Sequence, residues 1–556
     1  MYIRQISRLN KDGTRVRYLQ LAHKVRDPVT GKPRDQILCH LGREDRIDKA
    51  QLRRLIRSLS RFLDPADRVQ VNAELAGLGK ELVAERDLAY GGAYVLEAIW
   101  RRLKLDKVLE GLLSARRYEI DLERLIFALV ASRALAPCSK LALERWVGRK
   151  VHIEGLPEVS VHALYRAMDF LVEHAEEIQR EVFFSTASLL NLEVELLFFH
   201  TTTTYFEIEE EDEFRRYGHS KDHRGDLPQI VIGLAVTKEG IPVRCWAWPG
   251  STCDASVVEE VQGDLSGWRL NRVVWVVDRG MAGREQRIAF RRGGGHLIVG
   301  EKLRGGEVEV REALSRGGRY RVVRDGLEVK EIKVENGSEL RRFVLVRNPK
   351  EAARDRKRRE RILAELSAEL ERLNRGLPKR GKEHTRAVCA LKSHPVYGKY
   401  VRELPTGELV IDRGVVRREE RLDGKYLLST TDPGLTAEEV ALGYRQLLEV
   451  ERAFRTLKHT LELRPLYHRL PERIRAHVLL CWLALLLVRV MERMAGESWG
   501  RMREELEELR LVTLRTVEGT VQVVTEPTAA QRKILASLSI PLPRRVKCLE
   551  LDSRSV

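Results

Sequence analysis

The sequence predicts a mixed α/β protein in several domains, and three observations predict it. The first forty or so residues alternate polar and apolar. A long stretch with apolar residues every three to four positions follows, and beyond about Leu192 apolar strands alternate with helices. At 556 residues the chain is too long for one ordinary core, so about two to four domains are expected.

From Met1 to about Arg43 the alternation, with turn signals at "KDGT" and "DPVTGKP", predicts a small antiparallel meander. Segments such as "AYVLEAIWRRLKLDKVLEGLL" and "DLERLIFALVASRAL" predict helices up to about Ser188. Three successive strands are expected from "EVELLFFHTTTTYFEI", "LPQIVIGLAVT" and "IPVRCWAWPG", with "KEG" as the tight turn between the last two. The first of these reads as an apolar strand that stops at His200, a position where a sheet can present a catalytic side chain. A helix at "ASVVEEVQGDL" leads to "RVVWVVDRGM", whose continuous apolar run suits a strand buried on both faces and ending in Asp278. A helix at "REQRIAFRRG" and a strand at "HLIVGEKL" complete the pattern.

Between about Arg304 and Leu422 short polar strands precede a basic helix, "RDRKRRERILAELSAELERLNRG", and a Lys-rich loop. Ile362, Leu366, Leu370 and Leu373 form an apolar stripe that packs while the Arg-rich end stays in water. The α/β pattern resumes at "GKYLLSTTDPG". Thr436 and Glu439 make a capping box for one long helix, "AEEVALGYRQLLEVERAFRTLKHTL".

The net charge of +17 and a pI of about 9.6 favour a polyanionic partner, most simply nucleic acid. A strongly charged, solvated surface is the plainer alternative. The seven cysteines (Cys39, Cys138, Cys245, Cys253, Cys389, Cys481, Cys548) are dispersed and include no CxxC pair, which speaks against a disulfide framework and a zinc site and for a reducing compartment. The N-terminus has no apolar core of signal-peptide length. "HVLLCWLALLLV", flanked by Arg475 and Arg489, is too short to span a bilayer and suits a buried helix. A cytoplasmic protein without a membrane partner is expected.

Two features point to an acidic site. Asp278 ends a buried strand, where a carboxylate is costly unless paired or metal-bound; capping the next helix is the structural alternative. Glu451 has Tyr444 seven residues before it and Lys458 seven after, nearly two helical turns each way, so all three share a face that Arg455 joins one turn on. Such a face can hold a metal through the carboxylate and a phosphate through the cations. An exposed helix laced with ion pairs would look the same.

This order of elements resembles the ribonuclease-H-like fold of DDE transposases of bacterial insertion sequences, in the IS-four-like superfamily. "YFEIEEEDEFRRYGHSKDHRGDLPQIVIGLAVTKEGIPVRCWAWPGSTCD" is similar to the block around the first catalytic Asp, and "VVDRGM" to the second. "YRQLLEVERAFRTLK" resembles the Y-x6-E-x6-K core of the YREK signature. The N-terminal meander, "YGGAYVLEAIW" and "RIRAHVLLCWLALLL" are also similar, so the resemblance covers most of the chain, least so its last fifty or so residues.

The resemblance implies an N-terminal β subdomain (1–45), a helical DNA-binding region (46–190), a ribonuclease-H-like catalytic core (191–305 and 422–495) interrupted by an insertion (306–421), and a C-terminal helical tail (496–556). It implies strand cleavage and transfer on element terminal inverted repeats and target DNA, by a homodimer in a synaptic complex. It also implies a divalent metal, with magnesium expected and manganese possible. Asp278 and Glu451 become the second and third catalytic carboxylates and metal ligands. Tyr444 and Lys458 match signature positions near the cleaved phosphate, with Arg455 beside them.

Two positions depart from the family. The signature Arg falls at Leu447, and the first catalytic Asp falls at His200. Imidazole brings no charge and suits magnesium poorly, though manganese accepts it. Along a strand Glu195 and Glu207 have the wrong parity to substitute, and Glu210, with the right parity, would lie roughly 33 Å away. A copy strongly impaired in magnesium is therefore expected. The alternatives are a DNA-binding protein that has lost its chemistry and a manganese-dependent nuclease with a His-containing site. Retention of Asp278, Glu451 and Lys458 favours a recent change over an old repurposing.

Overall fold

The structure is a computed structural model that describes residues 2–10, 13–27, 31–48, 54–55, 58–59, 83–114, 120–190, 196–253, 256–266, 268, 274–277, 296–304, 307–323, 326–336, 339–375, 382–516 and 519–551. The chain divides into two units. The first takes residues 1–86, 512–523 and 546–556, and the second takes 87–511 and 524–545.

In the first unit β1 (Tyr2–Leu9), β2 (Arg15–Arg26) and β3 (Pro33–Arg43) form an antiparallel sheet in that order. Strand β4 (Val83–Ala89) begins a second sheet, which three strands near the C-terminus complete.

The second unit opens with six helices: α1 (Gly91–Arg102), α2 (Leu105–Leu113), α3 (Leu122–Leu135), α4 (Lys140–Arg149), α5 (Val161–Glu173) and α6 (Ala175–Leu190). The side chains of Asp121, Ser139 and Ser160 accept backbone N–H bonds at the starts of α3, α4 and α5, the ordinary N-cap arrangement. The helical segment Ala93–Leu113 breaks at Lys104, which takes a left-handed conformation with φ 58°. Leu103 and Leu105 flank it and both are fully buried. Positions two apart point about 200° apart on a continuous helix, so the break is what buries both.

A nine-stranded sheet follows, built from β5 (Leu196–Tyr205), β6 (Gln229–Thr237), β7 (Pro242–Pro249), β8 (Val274–Val277), β9 (His296–Glu301), β10 (Arg321–Val322), β11 (Glu328–Asn336), β12 (Glu339–Arg347) and, after β13 (Val401–Glu403) and β14 (Leu409–Ile411), β15 (Lys425–Thr430). Its order is β10-β11-β12-β15-β9-β8-β5-β6-β7, with β5, β8 and β9 parallel and the other pairings antiparallel. Alternation splits each strand between two cores. Phe198, Ile232, Leu234 and Val276 join the helices on one face, while Leu197, Phe199, Val231 and Trp275 pack on the other against Val257, Val261 and Leu265.

Two sequence expectations change here. The strand carrying His200 does not stop there. It runs through all four threonines to Tyr205 and pairs with β6 throughout, His200 standing opposite Leu234. Thr201 to Thr204 are all buried, and their branched side chains fit the pleated surface. The short polar strands expected after Arg304 include β11 and β12, nine residues each, which bury Val329, Ile332 and Val334 on β11 and the continuous run Phe343 to Val346 on β12 and extend the main sheet. The helix expected at "REQRIAFRRG" lies outside the described residues.

The helices after β7 are α7 (Val258–Ser266), α8 (Val308–Ser315), α9 (Pro349–Arg375), α10 (Lys382–Ser393), α11 (Arg413–Glu420), α12 (Ala437–Arg445), α13 (Leu448–Arg455), α14 (Pro471–Ala495), α15 (Trp499–Glu507) and α16 (Ala529–Ser537). Residues 349–423 lie outside the sheet and have their own core around Leu366, Leu370, Leu373, Leu391 and Tyr400. The basic helix α9 is pinned on one side. Gly424, with φ 61°, lies so close to Ala352 that a Cβ would meet its backbone nitrogen at 2.5 Å. The Gly424 N–H donates to Asp355 Oδ2 at 2.9 Å, and Arg359 grips the Asp423 carboxylate through both Nη atoms. On the opposite side Lys350, Arg354, Lys357, Arg358 and Arg361 recur at helical spacing and are all exposed.

The run "HVLLCWLALLLV" lies inside α14, whose length and hydropathy alone would suit a membrane span; 89% of its most apolar window is buried in the protein. Strands β16 (Arg510–Thr516), β17 (Gly519–Val524) and β18 (Val546–Leu551) close the chain, pairing in the order β18-β17-β16-β4.

Trp482 at the middle of α14 is fully buried, and its Nε1 has no hydrogen-bond partner among the described residues, so packing alone holds it. Trp482→Ala should cost about 3–5 kcal/mol in urea unfolding. Lys140 is also buried, with Nζ 3.0 Å from His477 Nδ1. Burial, with Arg133 adding to it, pushes the ammonium down to about 7. Between that value and the unfolded one, about 10.4, the unfolded chain binds the extra proton, so stability should rise with pH across this window. Lys140→Met should flatten that rise in melting curves recorded from pH 6 to 10.

Candidate active site

The candidate site is built on β5. Antiparallel β6 lines one edge over the strand's length, and among the described residues parallel β8 pairs with the other as far as Phe198, opposite Val276. Ligands of open α/β sheets bind outside the carboxyl ends of such parallel strands, where neighbours diverge. His200 enters here, two residues beyond Phe198 and on the same face. Asp278, two residues beyond Val276 in sequence, lies outside the described residues.

A returning loop reaches β5 beyond Phe198. The Lys221 N–H donates to Thr203 Oγ1, and Lys221 Nζ donates to the Thr201 carbonyl, each at 2.9 Å. Asp222 follows, and His223 turns the chain with φ 58°. Asp222 Oδ1 accepts from Lys458 Nζ at 2.9 Å, and Oδ2 lies 3.5 Å from Arg464 Nη1.

The helix expected as one piece over 437–461 is three. Thr436 and Glu439 cap it reciprocally, their backbone N–H groups each bonded to the other's side chain. Helix α12 then ends at Arg445. Gln446, Leu447, Glu449 and Val450 make i to i−3 bonds, which overwind the chain toward three residues per turn. Thr456–Thr460 form a π-turn, which underwinds it. Tyr444, Glu451 and Lys458 therefore do not share one regular helical face. Tyr444 is half-buried and stacks on Tyr426 with ring centroids 5.9 Å apart. Glu451 and Arg455 are exposed, and the Lys458 side chain is only 11% exposed. Leu447, at the signature Arg position, is buried in the core.

Helix α13 nevertheless lies on His200. The ring of buried Phe454 stands edge-on to the imidazole at 6.1 Å between centroids, and Glu451 is one turn before Phe454. The structure thus brings the helix of Glu451 onto the strand of His200, and places Lys458 against Asp222. Burial lowers the Lys458 ammonium below its ordinary value, and the Asp222 carboxylate opposes that shift.

Sequence reasoning missed Asp222, Lys221 and Arg464. Parity counting tested only acids in line with β5, whereas Asp222 returns to the strand through a loop. The polar cluster "SKDHRGD" was the available signal. Among the described residues no three His, Cys, Asp or Glu side chains converge as a metal site. Glu451 and His200 are the described donors at this end, and Asp222 is engaged by two cations.

The family described as transposase DDE domain matches residues 201–487, more than half of the chain. The chain is a DDE transposase. Residues 3–70 of the transposase match a second family, the IS1634 family transposase N-terminal domain. The DDE match begins one residue after His200. No curated protein matches the chain. A piggyBac transposase, solved in a synaptic complex with hairpin DNA, aligns over 74% of this transposase and 79% of its own chain, at 10% identity and a TM-score of 0.37. As a DDE transposase the chain belongs to enzymes that cut and join DNA with divalent metal ions.

Proposed function

We propose that this transposase binds the terminal inverted repeats of its own element and cleaves and transfers them, with Asp278 and Glu451 as acidic residues and His200 where a third would stand. The observation that carries this is the seating of α13 on β5. It sets Glu451 one turn from the Phe454 ring that packs on His200, in mid-strand on β5 and two residues past the last described pairing of β5 with parallel β8. The strand order supports a ribonuclease-H-like core. Three consecutive antiparallel strands, β5 to β7, are followed by two parallel ones, β8 and β9, on the far side of β5.

In this reading Asp278 and Glu451 would hold divalent ions, magnesium by default, and between them two such ions would supply activation of the attacking oxygen and charge stabilisation of the leaving one. Lys458 and Arg455 grip backbone phosphates near the cut, and Tyr444 lines the approach. The cationic side of α9, the N-terminal strands and the helical region 46–190 add further DNA contacts, in a homodimer that pairs two ends. Because His200 supplies no charge, this copy cleaves poorly in magnesium. End binding without cleavage is the second reading, and His200 is the observation that favours it.

Cleavage of DNA carrying the terminal repeats tests the assignment. In a His200→Asp background, Glu451→Gln should lower cleavage about 1,000-fold while leaving end binding within about threefold. Cleavage that survives Glu451→Gln would remove α13 from the site.

A further inference from the structure

Asp222 stands where a nucleic-acid phosphate would be expected to stand. Its carboxylate faces Lys458 Nζ at 2.9 Å and Arg464 Nη1 at 3.5 Å, and the three side chains are 15%, 11% and 23% exposed. The guanidinium carbons of Arg464 and Arg224 lie 4.7 and 5.0 Å from the Tyr205 ring centroid, with Arg224 itself paired to Asp226 at 2.9 Å. Two oxygens of one anion shared by a lysine and an arginine is also how a phosphodiester is held.

The pairing is incomplete for a permanent structural bridge. Asp222 Oδ2 is buried and accepts no hydrogen bond among the described residues, with Arg464 beyond hydrogen-bonding reach. A buried carboxylate oxygen left so is costly, and a well-built buried ion pair would satisfy it. The loop that carries Asp222 rests on β5 through Lys221, while Lys458 sits on the π-turn.

We propose that Asp222 is an internal stand-in for a DNA phosphodiester. In the free chain it occupies Lys458 and Arg464, and a backbone phosphate displaces it on binding. Lys458 and Arg464 with the surrounding loop thus form one phosphodiester site whose resting anion comes from the protein. This rests on the reading of Lys458 as a DNA contact, and it adds Arg464 to the site and gives Asp222 the role of a competitor.

The sign of one substitution tests it. Asp222→Asn keeps the shape and removes the charge. Binding of a short duplex of arbitrary sequence, followed by fluorescence anisotropy across a salt series, should tighten about three- to tenfold, with a slope of log affinity against log salt close to that of the starting chain because the same phosphate contacts form in both. Adding Lys458→Gln should erase most of that gain. Equal or weaker binding by a folded Asp222→Asn protein overturns the stand-in role and leaves a structural ion pair. Arg464→Gln is a separate arm that keeps Asp222. It should weaken binding and flatten the slope by about 0.9, and an unchanged slope overturns the site. A starting chain that binds no duplex even at low salt overturns the DNA reading as well, whereas binding without a gain in Asp222→Asn overturns the stand-in alone.

Discussion

His200→Asp should raise cleavage of end-bearing DNA in magnesium about 100-fold or more. Disturbing groups that merely orient a metal ligand already costs about 10- to 100-fold, and here a ligand position itself lacks its charge. Magnesium prefers hard, anionic oxygen and binds imidazole poorly. Position 200 can take the exchange. It is half-buried in mid-strand, paired to Leu234 through the backbone, and bordered by Phe454, so a smaller side chain on the same face leaves the ladder intact. The change in stability should be about 1 kcal/mol or less. Manganese should narrow the gap between the two proteins because it tolerates nitrogen ligands. Equal rates for both in magnesium would show that His200 is no handicap.

Neutralising the free side of α9 should give the largest loss of DNA binding. Lys350, Lys357 and Arg358 make no ion pair among the described residues, while Arg354 lies 2.5 Å from Glu351 and Arg361 3.9 Å from Glu365. The pinned side, through Asp355, Arg359 and Ala352, fixes which way these cations point. Converting Lys357, Arg358 and Arg361 to Gln should lower the salt slope of duplex binding by about 2.7 and the affinity at moderate salt roughly 10- to 100-fold, whatever the DNA sequence. The apolar stripe that packs α9 begins at Ile362, so melting should barely move. An unchanged slope would make this side a solvated surface.

Much of the sheet was legible because its signals are local. Apolar runs bounded by turn residues mark β6 and β7, and the capping box at Thr436 marks the start of α12. The end of β5 was misread because a threonine run looks like a polar stop, yet strand-to-strand pairing turns the same residues into interior. The three-part helix was not legible either. Its overwound and underwound turns arise from backbone bonding that leaves the 3.6-residue apolar pattern from Leu447 to Leu457 unbroken. Glu451 was found from its spacing to Lys458, and the structure still lays its helix on β5. Asp222 was out of reach because only the returning loop joins it to Lys458, 236 positions away in sequence.

The threonine run has a consequence for how the strand knows its place. Thr201 to Thr204 lie alternately on the two faces of the sheet, and each could stand in for its neighbour. This homopolymer therefore carries no address. The alignment of β5 is written on either side of it, in the split of Phe198 and Phe199 between two cores and in the paired contact of Tyr205 with Gln229. Deleting a single threonine would leave a sequence of nearly the same composition, but it would force one flank to slide. The inside and outside of the sheet would then trade places on that side, and if the slide falls on the N-terminal flank position 200 would face away from α13.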